Sequence, residues 1–398
     1  MKKSKNFKII NLNKEIENTP IISNNPRGWQ NWGTKNQYGT QLLNLYNTSV
    51  THRACCDFLA TCVLGSGIDW NAMKMGGTES MPNPFDTWET FILKISLDFV
   101  VYGGFAIQIV KNRDNKTYTF YHQEFNTVRP AIENEEGEVT SAFLCADWSN
   151  TSKYRPQQIE IINYTDDVKL SMGKPYLLYY TRYSPFDKWL PTPSYSSALP
   201  AIDADAKLST YDLSSIINHF TPSGILTLNP VSDDDERELI LKNINSTFSG
   251  EENANNLIIT FKKNAEDTPA AFSPIQSNSE GVNLFADTND RVVNRILAAH
   301  RIPSKALIGL PMDSTGFSNE GTLLEAAYQL LEKTRLTQLR NEILSVINNI
   351  FAMNGIQTKI VIKPLSFKLD EVNVEKQDVE VKEIDDDNVA YENKINAK

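Results

Sequence analysis

The chain has 398 residues, 40% of them apolar, enough to supply cores for two or three packed units and to exclude a disordered polymer. Acidic residues outnumber basic ones 49 to 39, giving a net charge of −10 that opposes a tight, sequence-independent grip on a phosphate backbone. Four cysteines, Cys55, Cys56, Cys62 and Cys145, form no C-x-x-C pair and have no matching histidine cluster, so zinc and redox readings lack their ligand spacing and buried free thiols are expected.

The N-terminal arm, residues 1–37, carries positive charge without the apolar stretch of a signal peptide. No later segment approaches the run of about 18 apolar residues that a membrane span needs, so a soluble, cytoplasmic product is expected. From Tyr38 onward, Leu42, Leu45, Tyr46, Cys56 and Leu59 keep near-helical spacing as far as Gly65 and Gly67, which predicts one helix running into a strand. Trp88, Phe91, Ile92, Ile95 and Phe99 make the apolar face of a second helix over 84–101. The runs FAIQIV, YTFYHQ, TSAFLCADW, QQIEIINY and KPYLLYYTRY then predict a mostly antiparallel sheet, because β-branched and aromatic residues alternate with turn-forming clusters.

A helical pattern resumes over 196–220 and stops at Pro222-Ser223-Gly224. GILTL, a helix near SDDDERELILKNI and NLIITFKK read as a compact β-α-β insert. Asp233, Asp234 and Asp235 follow Ser232 as a helix start would have them, favoured by the positive end of the dipole; consecutive helical residues point different ways, which weighs against a metal site. Another helix is expected over 282–300, ending at Ile302-Pro303. After a polar loop, Thr322 and Glu325 have capping-box spacing, and Gly355 suits a left-handed helix end. The helix between them, about 32 residues and about 48 Å long at 1.5 Å per residue, carries the stripe Leu324, Ala327, Leu331, Leu339, Ile343, Ile347 and Ile350. So long a stripe needs a partner surface that a neighbouring subunit would supply in part. TKIVIKPLSF reads as a strand, and the acidic tail 368–398 as a mobile or partner-ordered end.

No P-loop, dinucleotide-binding glycine motif, H-E-x-x-H or nucleophile elbow occurs. The four histidines, His52, His122, His219 and His300, are scattered, each without a nearby nucleophile or ligand spacing. Arg291, Arg295, Arg301, Arg335 and Arg340 lie along helices as ion-pair partners would, not in a dense patch interleaved with aromatics.

Taken in order, these segments resemble the portal protein family of tailed bacteriophages. The resemblance rests on LLNLYNTSVTHRACCDFLATCVLGSGIDW, on DFVVYGGFAIQIVKNRDNKTYTFYHQEFNTVRP, on RVVNRILAAHRIPSKALIG and on SNEGTLLEAAYQLLEKTRLTQLRNEIL, and covers residues 38 to 366. It implies a multi-domain α+β portal fold. Residues 38–195 become the first part of a wing, 196–220 and 280–301 stem helices, and 221–279 a β-α-β clip between them. Residues 302–367 hold a tunnel loop, the long helix and the rest of the wing. Met312, Asp313, Ser314, Thr315 and Phe317 fall near the loop tip, and Asp234, Glu236 and Glu238 on the clip's docking surface. The family forms rings, typically of twelve subunits, at one capsid vertex, and the ring conducts double-stranded DNA during packaging and ejection without reading its sequence. The implied partners are the major capsid protein or scaffold, the large terminase subunit and a head-tail adaptor. The implied location is the virion after assembly in the host cytoplasm, with a part in nucleating procapsid assembly. The resemblance implies no catalytic residue, cofactor, metal or membrane. Twelve copies at −10 each would carry −120, a charge that repels the passing phosphates. After Phe367 only about 30 residues remain, too few for the long crown helices of some portals.

Two other classes fit the composition. One is a carboxylate-dependent hydrolase whose acid and base meet only in the fold. The other is a monomeric peptide- or nucleic-acid-binding adaptor. Either would bury the long helix's stripe inside one subunit, whereas a ring protein leaves surface exposed until assembly.

Overall fold

A computed structural model describes residues 16–75, 81–114, 116–162, 170–218, 224–228, 239, 257–261, 271–274, 279–311 and 320–365. The architecture is α+β, with a six-stranded sheet backed by helices. Among the described residues, no helix is long and apolar enough to cross a membrane.

Part of the N-terminal segment is folded. Strands β1 (Ile22–Asn24) and β2 (Gln30–Trp32) form an antiparallel pair. Two tryptophans explain why so polar a stretch is held: Trp29 packs on Phe143 and Trp148, and Trp32, fully buried, packs on Tyr38, Tyr102 and Phe125.

The helix expected from Tyr38 is two, α1 (Tyr38–Thr48) and α2 (Val50–Leu64). Ser49 divides them: its backbone is extended and its Oγ accepts the His52 N–H at 3.2 Å, so its side chain starts a new helix instead of continuing the old one. The strand expected after Gly67 is only a bridge between Ile68 and Ile362, and the same bridge is all that forms of the strand expected over TKIVIKPLSF. Pro364, with no N–H, cannot extend that pairing.

Helix α3 (Trp88–Tyr102) starts four residues later than the sequence suggests, because Asn83 Oδ1 accepts from the N–H groups of Phe85 and Asp86 and holds a turn there. The Thr87 hydroxyl then caps the helix by accepting from Thr90 N at 3.2 Å. All five stripe residues, Trp88, Phe91, Ile92, Ile95 and Phe99, are buried.

The sheet runs β4 (Tyr118–Gln123), β3 (Gly104–Lys111), β8 (Pro175–Thr181), β7 (Gln157–Ile161), β6 (Ser141–Leu144), β5 (Val128–Pro130). Every pairing is antiparallel except the short parallel one between β7 and β8. The five strands read from sequence are all present. Trp88 meets Phe91, Phe120 and Phe351, with the Phe351 ring centroid 4.5 Å away edge-on, which ties α3 to the sheet and to the last helix.

A turn of 3-10 helix, Ser196–Ala198, leads into α4 (Leu199–Asn218). Beyond it, β9 (Gly224–Leu228) and β10 (Leu257–Phe261) pair in parallel, as the two strands of a β-α-β unit do, and β11 (Ala271–Pro274), not foreseen, adds to β9 antiparallel. Of the helix expected between β9 and β10 only Leu239, helical and exposed, is among the described residues, and the acidic tail lies outside them. Helix α5 (Ser279–His300) packs along α4. It ends at Arg301, held at φ 57°, with Pro303 blocking continuation.

The long helix is present with an interruption: α6 (Glu320–Leu331), one π-helical turn (Glu332–Leu336) and α7 (Thr337–Met353). It begins at Glu320, so Thr322 lies inside it and caps nothing; a carboxylate at the first turn favours the earlier start. Gly355, at φ 78°, closes the C-terminus as expected, its N–H donating to Ala352 O and that of Ile356 to Phe351 O.

Candidate functional site at the helix junction

Among the described residues, five buried polar groups, Ser49, Thr51, His52, Asp205 and His300, come together where α2, α4 and α5 meet. Ser49 and Thr51, at the N-terminus of α2, surround the Asp205 carboxylate of α4. Ser49 Oγ donates to it at 2.6 Å, Thr51 Oγ1 at 3.1 Å and Thr51 N at 3.2 Å. The arrangement follows from charge: a helix N-terminus presents free N–H groups and positive potential to a carboxylate.

One turn further along α2, His52 meets His300, the last residue of α5. His52 Nδ1 and His300 Nε2 are 2.9 Å apart, and the Cys56 thiol lies 3.8 Å from both nitrogens of His52. Tyr195 stacks on His300 at 4.8 Å and leans on His52 at 4.5 Å, its hydroxyl fixed by donation to Val101 O at 2.6 Å. Burial pushes the His52 imidazole down to about 3 and that of His300 well below its ordinary value, and drives the Cys56 thiol well above its own. Both rings are therefore neutral and the thiol protonated at neutral pH. None of these groups reaches solvent, so they cannot act as base or nucleophile on an external substrate.

The π-turn sits beside this junction. The Thr337 N–H and hydroxyl both donate to Glu332 O, five residues earlier. The wider turn turns Arg335 inward, where Nη2 donates to Ser194 Oγ at 2.8 Å; burial, then the Arg182 and Arg301 charges, lower its guanidinium to about 10. Arg340 clamps the turn to α2, pairing with Glu332 at 2.5 Å and donating to the carbonyls of Cys62 at 2.9 Å and Val63 at 3.1 Å, which are free at the helix end.

The expected tunnel-loop residues Met312, Asp313, Ser314, Thr315 and Phe317 lie outside the described residues, as do Asp234, Glu236 and Glu238 of the expected docking surface. The flanks of the loop are described. On one side a 3-10 turn, Lys305–Ile308, capped by Ser304 Oγ and closed by Gly309 at φ 83°, leads to Pro311. On the other, α6 begins at Glu320 and packs against that same turn. The segment thus leaves and re-enters the fold at neighbouring elements.

The histidine cluster was missed from sequence. The i, i+4 spacing of His52 and Cys56 puts them on one face of a helix and was a usable signal; His300, 248 residues away, had none. His122 is not isolated either, its Nε2 lying 2.8 Å from the Asp98 carboxylate.

No family model matches the chain, and no curated protein is similar to it in sequence. Solved structures match over most of its length. A chain from the neck of an empty gene transfer agent particle, computed with C6 symmetry, superposes with a TM-score of 0.56 at 13% identity, over 84% of this chain and 85% of that one. A chain from the neck of the native particle, computed with C12 symmetry, gives 0.54 at 12% identity over 87% and 86%. One from the virion of the native particle gives 0.53 at 14% identity over 83% and 84%. The chain shares the fold of these particle chains. At such identity the likeness is one of fold.

Proposed function

We propose that the chain is a portal-type subunit that forms a ring at one capsid vertex and conducts double-stranded DNA, with no enzymatic activity of its own. The observation that carries the reading is the shared fold with chains of neck structures that have C6 and C12 symmetry, over more than four-fifths of both partners. In this reading the sheet and its helices are the wing, α4 and α5 the stem, and the unit containing β9, β10 and β11 the clip. The tunnel loop, about residues 310 to 321, is then assigned to the channel side. The stripe itself does not call for a neighbour as expected from sequence, because Leu331, Leu339, Ile343, Ile347 and Ile350 are all buried within one subunit; it is Leu323 and Leu330, off the stripe, exposed on α6 and seven residues apart on one face, that support a neighbouring subunit against that helix. The buried, neutral junction supports a structural role over hydrolysis.

Partners follow from the same reading: capsid protein or scaffold at the wing, the large terminase and later a head-tail adaptor at the clip. Charge reversal at Glu236 and Glu238 is expected to weaken terminase binding while rings persist. Unchanged terminase pull-down by rings lacking residues 221–274 would remove the clip assignment.

The loop is tested in a portal-null phage complemented with a variant in which residues 312–318 are replaced by a short Gly-Ser linker. Both flanks are anchored without the loop, so rings are expected to form and packaged DNA to fall. Normal yields of particles with full-length genomes would make the segment a mere connector.

A further inference from the structure

The cluster of His52, Cys56 and His300 matches no part of the function proposed above, and hydrogen bonding alone explains it poorly. Two imidazoles share a single hydrogen bond, leaving His300 Nδ1 buried without a partner among the described residues, and the thiol offers only long, weak contacts.

We infer that these three side chains form a binding site for one thiophilic d10 metal ion, Zn(II) or Cu(I), with His52 Nδ1, His300 Nε2 and Cys56 Sγ as ligands. The ligand atoms of the three residues all lie within 4.8 Å of one another, and all three residues are buried. Two imidazoles on a tetrahedral ion have ring centroids about 5.2 Å apart and nitrogens about 3.3 Å apart, given metal–nitrogen bonds of about 2.0 Å. Here the centroids are 5.1 Å apart and the nitrogens 2.9 Å. The ring centroids already stand at ligating separation and the rings need to tilt in place, confined by Tyr195, which stacks on His300 and tilts against His52. Cys56 Sγ is equidistant from both His52 nitrogens, so it must swing toward the Nδ1 side, a rotation about one side-chain bond.

The donor set selects the ion: imidazole and thiolate suit zinc and cuprous copper, whereas calcium and magnesium require oxygen ligands. The proton balance closes. The thiol loses one proton to solvent on binding, and the proton shared between the two rings moves to a distal nitrogen. The ion would staple α2 to the end of α5 and act in folding, not catalysis; nothing in this inference depends on the ring.

The test uses tag-free, full-length protein. Bound metal per chain is measured by mass spectrometry, and the chelated protein is titrated with Zn(II), with Cu(I) and with Co(II) as the spectroscopic stand-in. The expected results are one ion per chain, a several-degree rise in Tm on reloading, and a sulfur-to-cobalt charge-transfer band that Cys56→Ser abolishes. The metal carried by the protein as purified identifies the natural occupant, because relative affinity for copper and zinc follows the ions themselves. Should Cys56→Ser fold poorly, the wild-type band and its loss in His300→Gln serve instead. Less than a tenth of an ion per chain with no charge-transfer band in the wild type, or equal binding by wild type and both variants, overturns the site.

Discussion

Replacing Asp205 by alanine is expected to destabilise the protein by about 2–3 kcal/mol, since it leaves the Ser49 hydroxyl and the Thr51 N–H and hydroxyl without their buried acceptor. Urea denaturation monitored by circular dichroism reads the change, and a loss under 0.5 kcal/mol would show that water replaces the carboxylate. Asp86 tests pH dependence. Burial raises its carboxyl, but hydrogen bonds from Lys94 at 2.6 Å and Asn83 at 3.1 Å outweigh that and hold it below its ordinary value. A depressed folded pKa stabilises above the unfolded pKa of about 3.9 and loses that stabilisation as pH falls through the folded value. Asp86→Asn is therefore expected to cost about 1 kcal/mol at pH 6 and progressively less below pH 4. A gap that stays constant down to pH 2 would contradict the linkage. Gly65 is constrained in another way: at φ 59° a Cβ would stand 2.2 Å from Lys363 O, so Gly65→Ala should cost about 3 kcal/mol or more by displacing residues 361–363 from the end of α2.

At the scale of elements, the π-turn explains an irregularity already visible in the sequence. The stripe passes from Leu331 to Leu339 with Arg335 where an apolar residue belongs, and in the structure Leu336, five residues after Leu331, takes the buried place. An α-helix brings back the same face after three or four residues, so the extra residue forces one wider turn. Arg335 and Arg340 then differ in kind. Arg335 is a buried cation with one neutral hydroxyl partner and an unbonded Nε, so Arg335→Met is expected to be neutral or stabilising by about 1 kcal/mol. Arg340→Met removes the charged partner of Glu332, which keeps only hydroxyl donors from Tyr328 and Thr337, and the donors to two helix-end carbonyls, and should cost about 2–3 kcal/mol. Thermal denaturation of the two variants checks the order, and equal losses would refute it. The five strands read in the large sheet and the apolar helix faces were legible because periodicity is local, whereas the strands expected after Gly67 and over TKIVIKPLSF formed only one bridge and β1, β2, β5 and β11 were not read. Ser49 as a cap and Asn83 as a turn went unread because a single polar side chain, with no change of pattern, ended or delayed a helix. The meeting of His52 with His300 was illegible because only packing of α5 on α2 creates it.

For the whole molecule, the central claim is closed self-association. Leu323 and Leu330 stand exposed on α6, a surface that a second copy would cover, and a heterologous contact whose rotation closes gives a ring, while one that does not gives a filament. A net charge of −10 per chain makes assembly dependent on ionic strength, because like-charged copies must approach, so association is expected to strengthen with added salt. Axial views of the purified protein by electron microscopy, recorded across a range of protein and salt concentrations, test the claim most directly. The account predicts rings with a central hole wide enough for a DNA duplex and rotational symmetry near twelve-fold. Particles of single-subunit size in every condition, including co-expression with the capsid protein, would contradict it.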